Sequence, residues 1–90
     1  MKIKKEMILR KIGNDVILVP IGSALMEHNG LFMLSETGCF LWESLPSADS
    51  TEALAKMLFD EYDVTEAQAL ADTKAFVDML VELDIIDNQE

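Results

Sequence analysis

The chain has 90 residues, half of them apolar, and carries 7 Lys and Arg against 17 Asp and Glu for a formal charge of −10. That length suits one domain built on a single modest core and excludes a second, while the high apolar fraction excludes a disordered chain. So acidic a body also argues against a nucleic-acid surface, because phosphate backbones are held by clustered Lys and Arg.

The charge is unevenly placed. Residues 1–11 hold Lys2, Lys4, Lys5, Arg10 and Lys11 against Glu6, and the remainder holds only Lys56 and Lys74 against sixteen acids. A basic tip of this size reads as a solubilising start or as a strand edge protected by lysines, more than as an RNA-seeking arm. The apolar runs behind it are short and broken by Gly13, Asn14 and Asp15, so neither a signal-peptide core nor the ~18 apolar residues of a membrane span is expected. Cys39 has no intrachain disulfide partner, and with His28 it falls short of a zinc site, which points to a reducing, cytoplasmic setting. The expected unit is a single domain over residues 1–90, with its core over about 7–87 and a basic segment at 1–6.

In chain order, the β-branched segments Met7–Ile12 and Val16–Ile21 flank the polar link Gly13-Asn14-Asp15 and predict an antiparallel hairpin. Ala24–Asn29 has no clean period, and Asn29-Gly30 marks a bend. Leu31–Leu34 predicts a short third strand, with Leu31 and Met33 on one face and Phe32 and Leu34 on the other. Ser35 then has the chemistry of a helix cap, with Glu36 in the first turn, and Thr37, Leu41, Trp42 and Leu45 form a core-facing stripe. Gly38 costs a helix roughly 1 kcal/mol relative to Ala, which implies that a neighbouring element crosses closely there. Pro46 is expected to end this helix.

Asp49 or Ser50 is placed to cap a second helix from about Thr51 to near Asp63, with Leu54, Met57, Leu58 and Tyr62 inward. Thr65-Glu66-Ala67-Gln68 has the reciprocal capping-box pattern and opens the longest helix, whose inward face is Ala69, Thr73, Phe76, Val77, Leu80 and Leu83. Asp84 interrupts the apolar run, and Ile85-Ile86 is expected to fold back on the core as an extended pair.

No arrangement of reactive side chains points to catalysis or to a cofactor. The carboxylates lie at helix surfaces and ends rather than as a pair in contrasting environments. His28 beside Glu27 has no sequence frame linking it to Cys39 as base and nucleophile. Calcium-loop spacing and a glycine-rich phosphate cradle are both missing. Six methionines favour adaptable apolar packing. Strands followed by three helices fit a winged-helix domain, but the long helix sets Lys74 against Glu66, Asp72, Asp78 and Glu82, the wrong charge for reading DNA.

The phrase Ser35, Glu36, Thr37, Gly38, Cys39, Phe40, Leu41, Trp42, Glu43, with Leu45 after it, resembles the signature of the PqqD family, small proteins and fused domains that recognise the leader of a ribosomally made peptide. The later pattern is similar too: Thr51 opens a helix, Leu54 and Leu58 lie inside it, Tyr62-Asp63 closes it, and Asp72, Phe76-Val77, Leu80 and Ile85-Ile86 follow. The likeness runs from about Met7 to Asp87. It departs at Ser35 where Asn is usual, at Ser44 for a leucine, at Pro46-Ser47 for an Asp-Gly turn, and at Asp84 for a glycine.

The resemblance implies an α+β, winged-helix-like fold: a three-stranded antiparallel sheet followed by a three-helix bundle. It also implies a non-catalytic function without cofactor or metal. In the family the leader adds as a strand beside the third strand and leans on the third helix, and the domain docks a radical SAM enzyme, in one case for PQQ biosynthesis. Carried onto this chain, the peptide-binding residues are Leu31, Phe32, Met33 and Leu34 at the edge and Thr73, Val77, Leu80 and Val81 along the wall, with Ser35, Glu36, Thr37, Gly38, Leu41 and Trp42 as the structural motif. Strand addition makes physical sense here, since an unpaired edge supplies backbone hydrogen bonds and an apolar groove supplies selectivity. The acidic body would favour a leader carrying Lys or Arg among its apolar anchors. An open edge also gives a route to a homodimer. An edge already paired, or sealed by residues 1–11, would remove this reading and leave an acidic winged-helix transcription regulator or a structural adaptor.

Overall fold

The computed structural model describes residues 1–21 and 32–87. Ala24–Asn29, His28 and Leu31 lie outside them. Strand β1 (Met7–Ile12) pairs antiparallel with β2 (Asp15–Pro20), Ile12 facing Asp15 and Met7 facing Pro20. The connection is Gly13-Asn14, with Gly13 at φ +64°, as a two-residue hairpin led by glycine requires. This tight turn draws Asp15 into the ladder, so β2 starts one residue earlier than expected. Strand β3 (Phe32–Leu34) pairs antiparallel with β2 through Val16–Leu34, Ile17–Met33 and Leu18–Phe32, giving the sheet order β1-β2-β3.

Strand alternation divides the sheet's side chains. Leu18 is fully buried on the face where Met7, Leu9 and Leu34 pack against the core. Ile17 and Met33 lie on the opposite face, where Met33 is 71% exposed.

Three helices follow, α1 (Glu36–Ser44), α2 (Thr51–Glu61) and α3 (Glu66–Glu82), each capped by a side-chain oxygen. Ser35 Oγ accepts from the Gly38 N–H, Ser50 Oγ from Ala53 and Thr65 Oγ1 from Gln68, all at 3.1 Å. A cap of this kind contributes about 1 kcal/mol. Two expectations are corrected in detail. The α-helix does end at Ser44, ahead of Pro46, but Leu45 stays helical at φ −53° and ψ −48° rather than extended and opens a 3₁₀ turn, Leu45–Ser47, where the missing N–H of Pro46 costs nothing. Gln68 does not complete the capping box, since its side-chain amide donates to Asp72 at 2.8 Å instead.

The core joins Leu18 to Leu41, Trp42 and Leu45, to Leu54 and Leu58 of α2, and to Ala69, Phe76, Val77 and Leu80 of α3. Ile85 and Ile86 fold back onto it and are buried, as their pattern predicts, whereas Leu83 is half-buried. The chain reverses at Asp84, whose φ of 59° is left-handed. Ile86 then bridges to Ile3, and the Lys4 N–H donates to the Ile85 carbonyl at 2.7 Å. The molecule is thus α+β, a three-stranded antiparallel sheet followed by a three-helix bundle in a winged-helix-like arrangement.

Candidate functional site

The sequence element that organises the site is the step from β3 into α1. Ser35 caps α1 with extended backbone, φ −71° and ψ 172°, so the strand runs straight into the cap without a loop. Its hydroxyl also lies 3.1 Å from that of Thr37. Gly38 is buried one turn later, and a Cβ there would stand 3.3 Å from Ser35 Oγ and 3.5 Å from Leu34 Cβ. The close neighbour predicted at Gly38 is therefore the end of β3 itself. Leu41 and Trp42 continue the stripe into the core at 2% and 7% exposure. Thr37 stays half-buried because its hydroxyl turns to the cap.

Pairing with β2 occupies one side of β3, and among the described residues no strand lies along its other side. Residues 1–11 do not seal that side. Met7–Ile12 forms β1 at the opposite edge, and the segment before it crosses to the C-terminal end, where Lys4 Nζ meets Asp84 at 2.5 Å and Asp87 at 3.5 Å. Ile3 packs against the core beside Ile86, and Met1 packs against it with its ammonium donating to the Leu45 carbonyl at 3.3 Å.

The four residues expected to form the wall are not equivalent. Thr73, Val77 and Leu80 are buried in the core, and Val81 alone of the four reaches solvent. The Thr73 hydroxyl is also a buried polar group without a hydrogen-bond partner. Lys74, Asp78 and Glu82 are exposed, so α3 offers water a largely acidic surface.

Among the described residues, no group of three or more His, Cys, Asp or Glu side chains is placed to hold a metal ion. Cys39 is half-buried, and desolvation followed by the Glu43 carboxylate pushes its thiol above the usual range, the opposite of an activated nucleophile. The Tyr62 phenol is likewise raised, by desolvation and then by Glu36, and its ring meets Phe40 edge to face at 5.5 Å. No helix of the described residues is long and apolar enough to cross a membrane.

The family model described as "Coenzyme PQQ synthesis protein D (PqqD)" matches residues 16–86, most of the chain. The chain belongs to the PqqD family. No curated protein sequence matches it. A similar solved structure, titled "TbiB1 in Complex with the TbiA(beta) Leader Peptide", superposes with a TM-score of 0.70 over 98% of this chain and 96% of that one, at 20% identity. At that identity the likeness shows a shared fold.

The matched span includes the Glu36–Trp42 phrase, which forms most of α1 directly after β3. Asp84, which the resemblance set against a glycine, adopts a positive φ of the kind glycine tolerates best. The seam between Ile3 and Ile86 has no counterpart in the sequence reading beyond the inward fold expected of Ile85-Ile86, because Ile3 stands alone between Lys2 and Lys4.

Proposed function

We propose that this PqqD-family domain binds the leader segment of a ribosomally synthesised precursor peptide by strand addition along Phe32–Leu34. Leu31, expected on the same edge from the sequence, lies outside the described residues. The observation that carries the reading is a β3 edge along which no strand lies among the described residues, joined directly to a capped helix inside the span matched by the family model. Backbone groups on such an edge give affinity, and side-chain pockets beside it give selectivity. The solved relative's title names a leader peptide as its ligand, which supports the same class of ligand here. In this reading Val81 is the wall residue that touches peptide, while Thr73, Val77 and Leu80 hold the wall from beneath.

The function is non-catalytic presentation, and the partner is a modifying enzyme of the radical SAM class, working in the cytoplasm. We place it in peptide maturation generally rather than in PQQ synthesis, because Ser35, Ser44, Pro46 and Asp84 depart from the family phrase. DNA regulation is disfavoured by the single Lys74 on an otherwise acidic α3.

The test is an NMR titration with the leader of the precursor encoded beside this gene. Saturable amide shifts centred on Phe32–Leu34, with slowed exchange of edge amides, are expected. Replacing alternate leader amides by N-methyl groups is expected to weaken binding about tenfold, since strand addition needs those donors. Tight binding without shifts on β3, or indifference to N-methylation, overturns the assignment.

A further inference from the structure

A second surface is built by different residues. Between α2 and α3 runs a groove of about 540 Å³, within the size range of sites that take organic ligands or a few side chains. Its apolar part comes from Phe59 and Leu70, 37% and 44% exposed, with Ala55 and Ala67 between them. Neither Phe59 nor Leu70 belongs to the core cluster, so core packing among the described residues does not explain two large apolar side chains there. The rim carries Glu52, Asp60 and Glu66 against Lys56 alone.

We infer that this groove docks a basic amphipathic helix of a partner protein. A trough between two packed helices matches the ridge of a third, and apolar anchors one and two turns apart would seat on Phe59 and Leu70. Lys or Arg flanking those anchors would meet the three rim carboxylates, which raises the encounter rate and fixes the register. Two other occupants fit worse. A second copy would set one acidic rim against another on a chain already at −10. The chain's own basic tip is engaged elsewhere, Lys4 and Lys5 both lying against Asp84. The inference goes beyond leader binding and stands or falls separately from it.

The test uses two synthetic helical peptides with one identical leucine face, flanked by Lys in one and by Glu in the other, titrated into the isotope-labelled full chain at low and high salt. The Lys peptide is expected to shift amides in 52–60 and 66–70 and to bind at least about tenfold more tightly than the Glu peptide at low salt. Phe59→Ser with Leu70→Ser should abolish those shifts while leaving the leader titration on β3 unchanged. Glu52→Lys with Asp60→Lys should invert the preference toward the Glu peptide. Equal binding of the two peptides, shifts centred on Met33, persistence of binding in the serine variant, or concentration-dependent self-association through these residues overturns the inference.

Discussion

The two edges of the sheet are treated in opposite ways. β1 shows Arg10 and Lys11 to solvent, and the segment before it is tied to the C-terminal turn by Lys4 and Asp84. β3 has no charge between Phe32 and Leu34 and leads directly into a capped helix. Charged side chains on an edge discourage a further strand, whereas a short uncharged edge held rigid by a helix accepts one at little ordering cost. Among the described residues the fold guards one edge with charge and sets no strand along the other, the contrast on which strand addition at β3 would depend.

The largest expected effect comes from detaching β3 from α1. Gly38→Leu forces a side chain into the space occupied by Leu34 and Ser35, where a bare Cβ would already lie 3.3 Å from the cap hydroxyl. Overpacking of this kind costs about 1–3 kcal/mol, and loss of the cap adds about 1. Denaturant unfolding should show the drop, and leader binding should fall with it.

A gentler way to break the contrast is to give β3 the charge that β1 already carries. Met33→Lys changes a side chain 71% exposed, so the fold should hold, yet leader affinity should fall about tenfold, or 1.4 kcal/mol. Ile12→Lys, at a comparably exposed apolar position on β1, should leave affinity unchanged. Equal losses from both in parallel calorimetric titrations would mean that the sheet's outer face, rather than its β3 edge, meets the peptide.

Thr73 tests how far the wall takes part. Its hydroxyl is buried and unpaired, and valine replaces it at nearly the same shape, so Thr73→Val should stabilise the domain by about 1 kcal/mol. Thermal unfolding would register this as a rise of roughly 4–8 °C for a domain of this size. Leader affinity should not change, because binding is expected at the edge and at Val81. A weakened leader together with a higher melting temperature would show that the peptide opens the wall and uses that hydroxyl.

Local chemistry made much of this legible in the sequence. The hairpin followed from Gly13-Asn14-Asp15 between β-branched runs, the three helices from caps at Ser35, at Asp49 or Ser50, and at Thr65, and the core from stripes at helical spacing. The edge followed only in part, because a three-residue strand has too little period to reveal what lies beside it. The wall illustrates a different limit: Thr73, Val77 and Leu80 fall on the inward stripe, and spacing alone does not separate a residue under a surface from one on it. Pairings between the ends of the chain, such as Ile3 with Ile86, are set by the tertiary path and leave no local signal.

The smallest effect is expected at the guarded end, and it depends on pH. Lys4 lowers the Asp84 carboxyl below the ordinary aspartate value, chiefly through their hydrogen bond, and Asp84 in turn raises Lys4. A depressed acid contributes fully above its unfolded value and loses that contribution as pH falls through the folded one, so the acid limb opens below about pH 4. The raised lysine contributes below its unfolded value and is lost only in strong alkali, leaving the neutral range flat. Intrinsic amide exchange slows on acidification, so the Lys4 amide, whose N–H is bound to Ile85, should exchange in excess of that falling rate as its protection is lost, while amides within β2 keep theirs. Asp84→Asn should remove that excess. Asp84→Gly separates backbone from charge: it relieves the positive φ at every pH but forfeits the ion pair only where aspartate is ionised, so its stability relative to the parent should be higher near pH 3 than at pH 7.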